Sequence, residues 1–195
     1  MRIMLAAVLL SLSAAAHAAP QLGKPAPDFT LADQDGKSVK LSDAKGKLVV
    51  LEWFNEECPF VKKHYGSKNM QGLQKKYAKK DVVWYTIVSS KPGKQGHLTA
   101  GEAADRLKGM SSKAILLDEK GDVGRLYSAK VTPHMYVIDK KGDLVYMGGI
   151  DDNPSADPAD IKGARNHVAA ALDEVLAGKP VSTPASAPYG CSVKY

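Results

Sequence analysis

Only two cysteines, Cys58 and Cys191, occur in the 195 residues. That excludes a disulfide-dense scaffold and a paired-cysteine zinc module, each of which needs more. Charge of one sign is also scarce in excess. Lys+Arg total 27 against Asp+Glu 21, a formal +6 spread over many Lys-Asp and Lys-Gly pairs. So mild a balance suits weak contact with acidic surfaces and gives no sign of a nucleic-acid partner. Internal repeats are missing, and no stretch beyond the N-terminus is apolar enough to cross a bilayer. What is present is an ordinary apolar fraction, 44%, which rules out wholesale disorder, in a length that suits one domain or at most a small domain with appendages.

The chain opens with Met1-Arg2, an apolar run from Ile3 to Ala16, and Ala16-His17-Ala18. A short positive end, an apolar run and small residues around a spacer form the pattern that a signal peptidase reads. Residues 1–18 are therefore expected to be a signal peptide. The run is short of the roughly 20 residues of a membrane span, which weighs against an uncleaved anchor. No cysteine follows it, which argues against a lipoprotein. The expected mature protein is secreted and periplasmic, without a stable membrane anchor, in a compartment where disulfides persist.

Hydrophobic periodicity and breaker residues predict the elements that follow. Phe29 to Leu31 and Ser38 to Leu41 flank Asp35-Gly36, a hairpin signal. Leu48-Val-Val-Leu-Glu-Trp-Phe54 suits a strand buried on both faces. A helix is expected over 59–80, with Val61, Tyr65, Leu73 and Tyr77 inward and a kink at Gly66-Ser67 or Gly72. Val82 to Ser89 reads as a strand, and 90–98 as a loop. Thr99-Ala-Gly-Glu102 is a capping box opening a short helix. A strand at 114–118 and a short helix at 123–129 come next. Met135 to Asp139 and Asp143 to Gly148 form a second hairpin. A last helix is expected with Asp157 as its cap and Pro158 in its first turn. Ile161, Ala164, Val168, Ala171, Leu172 and Val175 would line one face, and Gly178 with Pro180 would stop it. Residues 179–195 read as a flexible low-complexity tail carrying Cys191. Strands alternating with helices indicate an α/β sandwich.

The chemistry concentrates at Trp53-Phe-Asn-Glu-Glu-Cys58-Pro-Phe-Val61. Cys58 falls where a buried strand gives way to a helix, with Pro59 in the first turn. Unpaired N–H groups and the helix dipole there favour the thiolate, the reactive form of cysteine. Lys62 adds positive charge, while Glu56 and Glu57 oppose it. The alternative reading is a buried structural cysteine. His64 and His134 together with Cys58 form only a weak case for a copper site, since their spacing matches no closed metal motif. Hydrogen-bonded or surface histidines are the better reading, and no metal or cofactor is expected. Lys75, Lys76, Lys79 and Lys80 read as the solvated end of a helix.

Four features in order resemble a thioredoxin-fold redoxin related to the alkyl hydroperoxide reductase/thiol-specific antioxidant superfamily. They are Gly23-Lys-Pro-Ala-Pro-Asp-Phe-Thr-Leu31, the strand into Trp53, Cys58-Pro59, and Val131-Thr-Pro-His-Met-Tyr-Val-Ile-Asp139. The resemblance covers roughly residues 20–178 and implies a thioredoxin-like three-layer sandwich with an N-terminal hairpin extension. It further implies that Pro133 follows a cis bond and lies against the nucleophilic cysteine, with Thr132 before it, both contributing to substrate binding. Two departures stand out. Val61 occupies the second cysteine position of Cys-x-x-Cys, so no disulfide closes within the motif. Leu51 and Asn55 stand where peroxiredoxins carry proline and a Thr/Ser hydroxyl.

A lone thiolate that attacks a disulfide needs a second thiol to release the product. Tyr189-Gly-Cys191-Ser-Val-Lys resembles the Gly-Cys-Ser-Ile-Lys tail of some of these redoxins, which implies Cys191 as the resolving thiol. From Gly178 the chain spans about 43 Å to Cys191 at ~3.3 Å per residue, against a domain radius of gyration near ~16 Å. Cys191 can therefore reach Cys58. A permanent Cys58–Cys191 staple is the competing reading, with a loop-entropy contribution of about 5 kcal/mol.

The expected activity is that of a secreted thiol–disulfide oxidoreductase of antioxidant type, with Cys58 and Cys191 catalytic. Its partners would be protein thiols or disulfides, with small thiols or peroxides as further candidates. The alternatives are a slow thiol peroxidase and a non-catalytic peptide-binding module with a structural disulfide.

Overall fold

The computed structural model describes residues 19–195. The expected signal peptide at 1–18 lies outside the described residues.

The apolar run at Leu48–Trp53 forms β3, and every one of its residues is buried. Its alternate side chains enter different cores, as a two-sided strand requires. Val49, Leu51 and Trp53 pack with Phe29, Tyr127 and Tyr136. Leu48 and Val50 pack with Met70, Tyr77 and Leu172 on the opposite face. Around β3 a seven-stranded sheet is built from β1 (Thr30–Asp33), β2 (Ser38–Lys40), β4 (Val82–Val88), β5 (Ala114–Leu117), β7 (His134–Ile138) and β8 (Leu144–Gly148) in the order β2-β1-β5-β4-β3-β7-β8. The three central strands β5, β4 and β3 run parallel, and the remaining pairings are antiparallel. Helix α2 (Asn69–Ala78) and the last helix, α5 (His167–Leu176), cover one face, and α4 (Asp122–Leu126) covers the other. This is a thioredoxin-like three-layer α/β sandwich.

Both hairpins form where turn chemistry predicts them. Asp33 Oδ1 accepts from the amides of Asp35 and Lys37, and Asp139 Oδ1 accepts from those of Lys141 and Asp143. Each aspartate thereby satisfies the turn's own N–H groups. The capping box is present as well, at the start of α3 (Ala100–Leu107). Thr99 Oγ1 accepts from the Glu102 amide, and Glu102 Oε2 accepts from the Thr99 amide.

Three expectations need correction. The helix expected over 59–80 is two helices, α1 (Pro59–Gly66) and α2, because the chain turns at Gly66-Ser67 and Lys68 adopts a left-handed conformation. Asp157 does cap, accepting from the Ala159 amide at 2.9 Å, but it opens only a 3-10 turn over Pro158–Lys162. The helix proper starts ten residues later, at His167, where Asn166 accepts from the Ala169 amide at 2.7 Å. Val168, Ala171 and Leu172 form its buried face, whereas Ile161 and Ala164 precede it. Finally, residues 179–195 do not hang free. Ser186 Oγ accepts from the Gly149 amide and bonds Tyr146, and Cys191–Ser192 form a strand, β9, paired antiparallel with β6 (Val131–Thr132). Contacts between residues this far apart leave no periodic trace in a low-complexity segment.

Candidate active site

After β3 the chain must turn sharply to start α1, and Asn55 builds that turn. Its Oδ1 accepts from the Glu57 amide at 2.9 Å, its Nδ2 donates to the Gln95 carbonyl, and its own carbonyl accepts from the Cys58 amide. Cys58 is thereby set in extended conformation at the cap of α1, with Pro59 in the first turn. A proline fits there because its missing N–H would have no helical partner.

Cys58 is fully buried. Its Sγ donates to the Thr132 carbonyl at 3.0 Å, and the Thr132–Pro133 bond is cis. Beside Cys58, β9 pairs with β6, Thr132 opposite Cys191 and Val131 opposite Ser192. Thr132 Oγ1 donates to the Cys191 carbonyl at 3.4 Å. The chain enters this pairing through Gly190, whose φ is +140°. A Cβ there would collide with the Thr132 carbonyl and the Pro133 ring, so the approach requires glycine. All four residues singled out from the sequence, Cys58, Thr132, Pro133 and Cys191, thus converge. Both sulfurs are free thiols.

Their electrostatics differ. Burial pushes the Cys58 thiol up, but the Cys191 thiol, the N–H groups of Val61 and Phe60 and the Cys191 amide outweigh it, and the thiol sits below its ordinary value. Cys58 makes no side-chain capping hydrogen bond, so these amides act by facing the sulfur rather than by a formed cap. Cys191 is pushed up to about 11, by burial first and then by the hydrogen bond and charge of Cys58. One proton shared between neighbouring sulfurs favours the thiolate on Cys58.

The two acidic neighbours are engaged elsewhere. Glu56 pairs with Arg106, and Glu57 accepts from the Gly96 amide at 2.9 Å. Lys62 is exposed and lines a groove of about 520 Å³ with Phe54, Val61, Tyr65 and Met110. His64 bonds Asn69 and Tyr189 through its two ring nitrogens, and His134 faces Tyr136 and the Lys130 amide. Burial holds both rings down to about 4. Among the described residues, no three His, Cys, Asp or Glu side chains gather in a way that could hold a metal ion.

Two buried polar groups were not anticipated. Glu52 is completely buried behind the site, accepting from Trp84 Nε1 at 2.8 Å, from the Tyr65 hydroxyl and from Gln74. Desolvation raises it to about 7, against the lowering effect of those donors. Its signal was a single carboxylate inside a continuous apolar run. The other group is Asp151, buried with Lys63 and His64 beneath Tyr189. Only the long-range fold brings it there.

Family comparison agrees with the fold. A model of the AhpC/TSA family matches residues 22–147, from the lead-in to β1 into β8. The chain belongs to the AhpC/TSA family. Among relatives of this AhpC/TSA protein, the thioredoxin-like protein YneN of Bacillus subtilis is 32% identical over 123 residues, which is 63% of this chain and 68% of that one. The thiol-disulfide oxidoreductase ResA of Bacillus thuringiensis is 28% identical over 130 residues, 64% of this chain and 68% of its own. An uncharacterized conserved protein from Geobacillus kaustophilus superposes with a TM-score of 0.75 at 29% identity, covering 90% of this chain and 92% of its own.

Proposed function

We propose that this AhpC/TSA-family protein is a thiol–disulfide oxidoreductase in which Cys58 is the nucleophile and Cys191 the resolving thiol. The observation that carries the reading is the pair of free thiols lying side by side at Thr132, one of them at a helix start. Relatives named thiol-disulfide oxidoreductase support the reaction class.

The Cys58 thiolate attacks a substrate disulfide. One S–S bond forms to Cys58 as the substrate's own bond breaks, and one substrate sulfur leaves as thiolate. Cys58 then carries no charge and no longer bonds the Cys191 thiol. Two of the three causes that hold Cys191 up are thereby removed, and only its burial remains. Cys191 loses its proton and attacks Cys58 Sγ. The second substrate sulfur departs, the Cys58–Cys191 disulfide forms, and two electrons have passed to the substrate. The same steps reversed oxidise a dithiol. Thr132 and Pro133 form the wall against which a partner strand aligns, by backbone pairing of the kind that β9 makes.

The partners are protein thiols or disulfides outside the cytoplasm, in the periplasm, to which the signal-like residues 1–18 would direct the chain. No helix among the described residues is long and apolar enough to cross a membrane.

Reduction of a protein disulfide such as that of insulin tests the reading. The wild type should turn over with a dithiol reductant, and Cys58→Ser should be inactive. Turnover that survives Cys58→Ser would overturn it.

A further inference from the structure

The residues around Cys191 are fastened on both sides. Two residues before it, the Tyr189 hydroxyl donates to Asp151 and bonds His64 Nε2, and its ring packs edge-on against Phe60. Four residues after it, the Tyr195 hydroxyl donates to the Ala129 carbonyl at 2.7 Å, with the Arg125 guanidinium 4.7 Å from the ring centre. The Tyr195 ring lies so close over Gly121 and Gly124 that a Cβ at either would overlap it. Between the anchors the chain is held by the short β6–β9 pairing, the Val193 amide on the Lys130 carbonyl and the Lys91 amide on the Lys194 carbonyl, with the half-buried Cys191 and Val193 side chains against the core.

This arrangement has a chemical consequence. A disulfide must approach the attacking sulfur along the axis of the bond being broken, yet Cys58 has 0% of its surface exposed. The strand edge at Val131–Thr132, which an extended partner would use, is already filled by Cys191–Ser192. A polypeptide therefore cannot reach Cys58 in this conformation.

We propose that Tyr189–Tyr195 is a built-in strap, pinned by one tyrosine on each side of Cys191, that occupies the partner's strand edge and closes Cys58 until it swings away. It rests on Cys58 being the reacting thiol, as proposed above. Tyr189 and Tyr195 are positioning residues, acting through Cys191. Opening admits an extended cysteine-bearing segment, and closing returns Cys191 to the mixed disulfide.

The test is the alkylation rate of Cys58 in full-length Cys191→Ser protein, followed against pH to its alkaline plateau with a small reagent, iodoacetamide, and a bulky one, a polymer-linked maleimide. The plateau reports access to the thiolate, and the midpoint reports its ionisation. Adding Tyr195→Ala or Tyr189→Phe should raise the bulky reagent's plateau about tenfold by enlarging the open population, and the small reagent's by less. Tyr195→Phe, which keeps the ring on its glycines, should retain most of the protection. With Cys191 present, Tyr195→Ala should weaken the Cys58–Cys191 disulfide about tenfold, a potential about 30 mV more oxidising. Unchanged plateaus in both anchor variants would overturn the strap.

Amide exchange of the unmodified protein gives an answer even if a variant folds poorly. The Val193 amide should exchange through local opening far faster than those of β3, and equally slow exchange would overturn the proposal. Alkylation needs no disulfide exchange. An enzyme inert toward insulin but with these alkylation results would therefore sink the oxidoreductase reading and leave the strap standing.

Discussion

Glu52 should cost the protein stability as pH rises, and Glu52→Gln should remove that cost. The carboxyl is fully buried and raised from 4.5 to about 7, chiefly by desolvation. Between those two values the folded state holds a proton that the unfolded chain has released. The stability contributed by the protonated form is complete below about 4.5 and is lost as pH rises through about 7. At ~1.4 kcal/mol per pH unit the loss totals about 3 kcal/mol. His64 and His134, both held down to about 4 by burial, act in the opposite sense. Their contribution is present above about 6.5 and lost as pH falls through about 4. The wild-type profile alone therefore mixes the two trends. The difference between wild type and Glu52→Gln isolates the carboxyl, because the histidines cancel. Glutamine keeps one acceptor at the Oε2 position for the Trp84 indole and Gln74 but turns an amide toward the Tyr65 hydroxyl, which donates to Oε1 at 2.9 Å. That mismatch adds an offset of about 1–3 kcal/mol that does not vary with pH. Urea unfolding of both proteins from acid to mildly alkaline pH should show the variant gaining about 3 kcal/mol on the wild type across this window. A difference that stays constant with pH would refute the buried-carboxyl reasoning.

Three further outcomes are expected. Cys58→Ser should bring Cys191 down from about 11, because the hydrogen bond and charge of Cys58 add to burial in holding it up. Thiolate ultraviolet absorbance against pH reads this directly, and a Cys191 that stays near 11 would contradict the coupling. Ser89→Ala should cost about 1–3 kcal/mol in urea unfolding, since Ser89 Oγ accepts from the buried Trp53 indole and donates to Asp118. Hydrogen peroxide should oxidise Cys58 little faster than an ordinary thiolate, because the Asn55 carboxamide is spent on the turn instead of polarising a peroxide. Stopped-flow tryptophan fluorescence showing rates far above a free thiol at matched ionisation would reverse this.

Features with a local chemical cause could be read from the sequence. β3 follows from its apolar run, interrupted only by Glu52, the turns from Asp33 and Asp139, and the start of α3 from Thr99 and Glu102. Cys58-Pro59 and Thr132-Pro133 were legible as motifs, and the fold brings Cys58 Sγ against the Thr132 carbonyl. Legibility failed where competing signals were of similar strength. Asp157-Pro158 looks like a stronger helix start than Asn166, yet it supports only a single 3-10 turn. Lys68 gives no residue-type hint of the left-handed turn that divides α1 from α2. The docking of 184–195 was invisible for a different reason. Its partners, Asp151, His64, Thr132 and Gly121, come from separate parts of the chain, and only the folded sheet brings them within reach.

The central claim is that Cys58 attacks and Cys191 resolves, and intact mass after a single turnover tests it most directly. Reduced protein is mixed with one equivalent of a disulfide-bonded peptide pair, quenched with acid and weighed. Cys191→Ser should accumulate a peptide adduct on Cys58, while the wild type should carry no adduct and be lighter by the two hydrogens lost on forming Cys58–Cys191. An adduct on Cys191, or a Cys191→Ser protein that clears its adduct as fast as the wild type, would contradict the account.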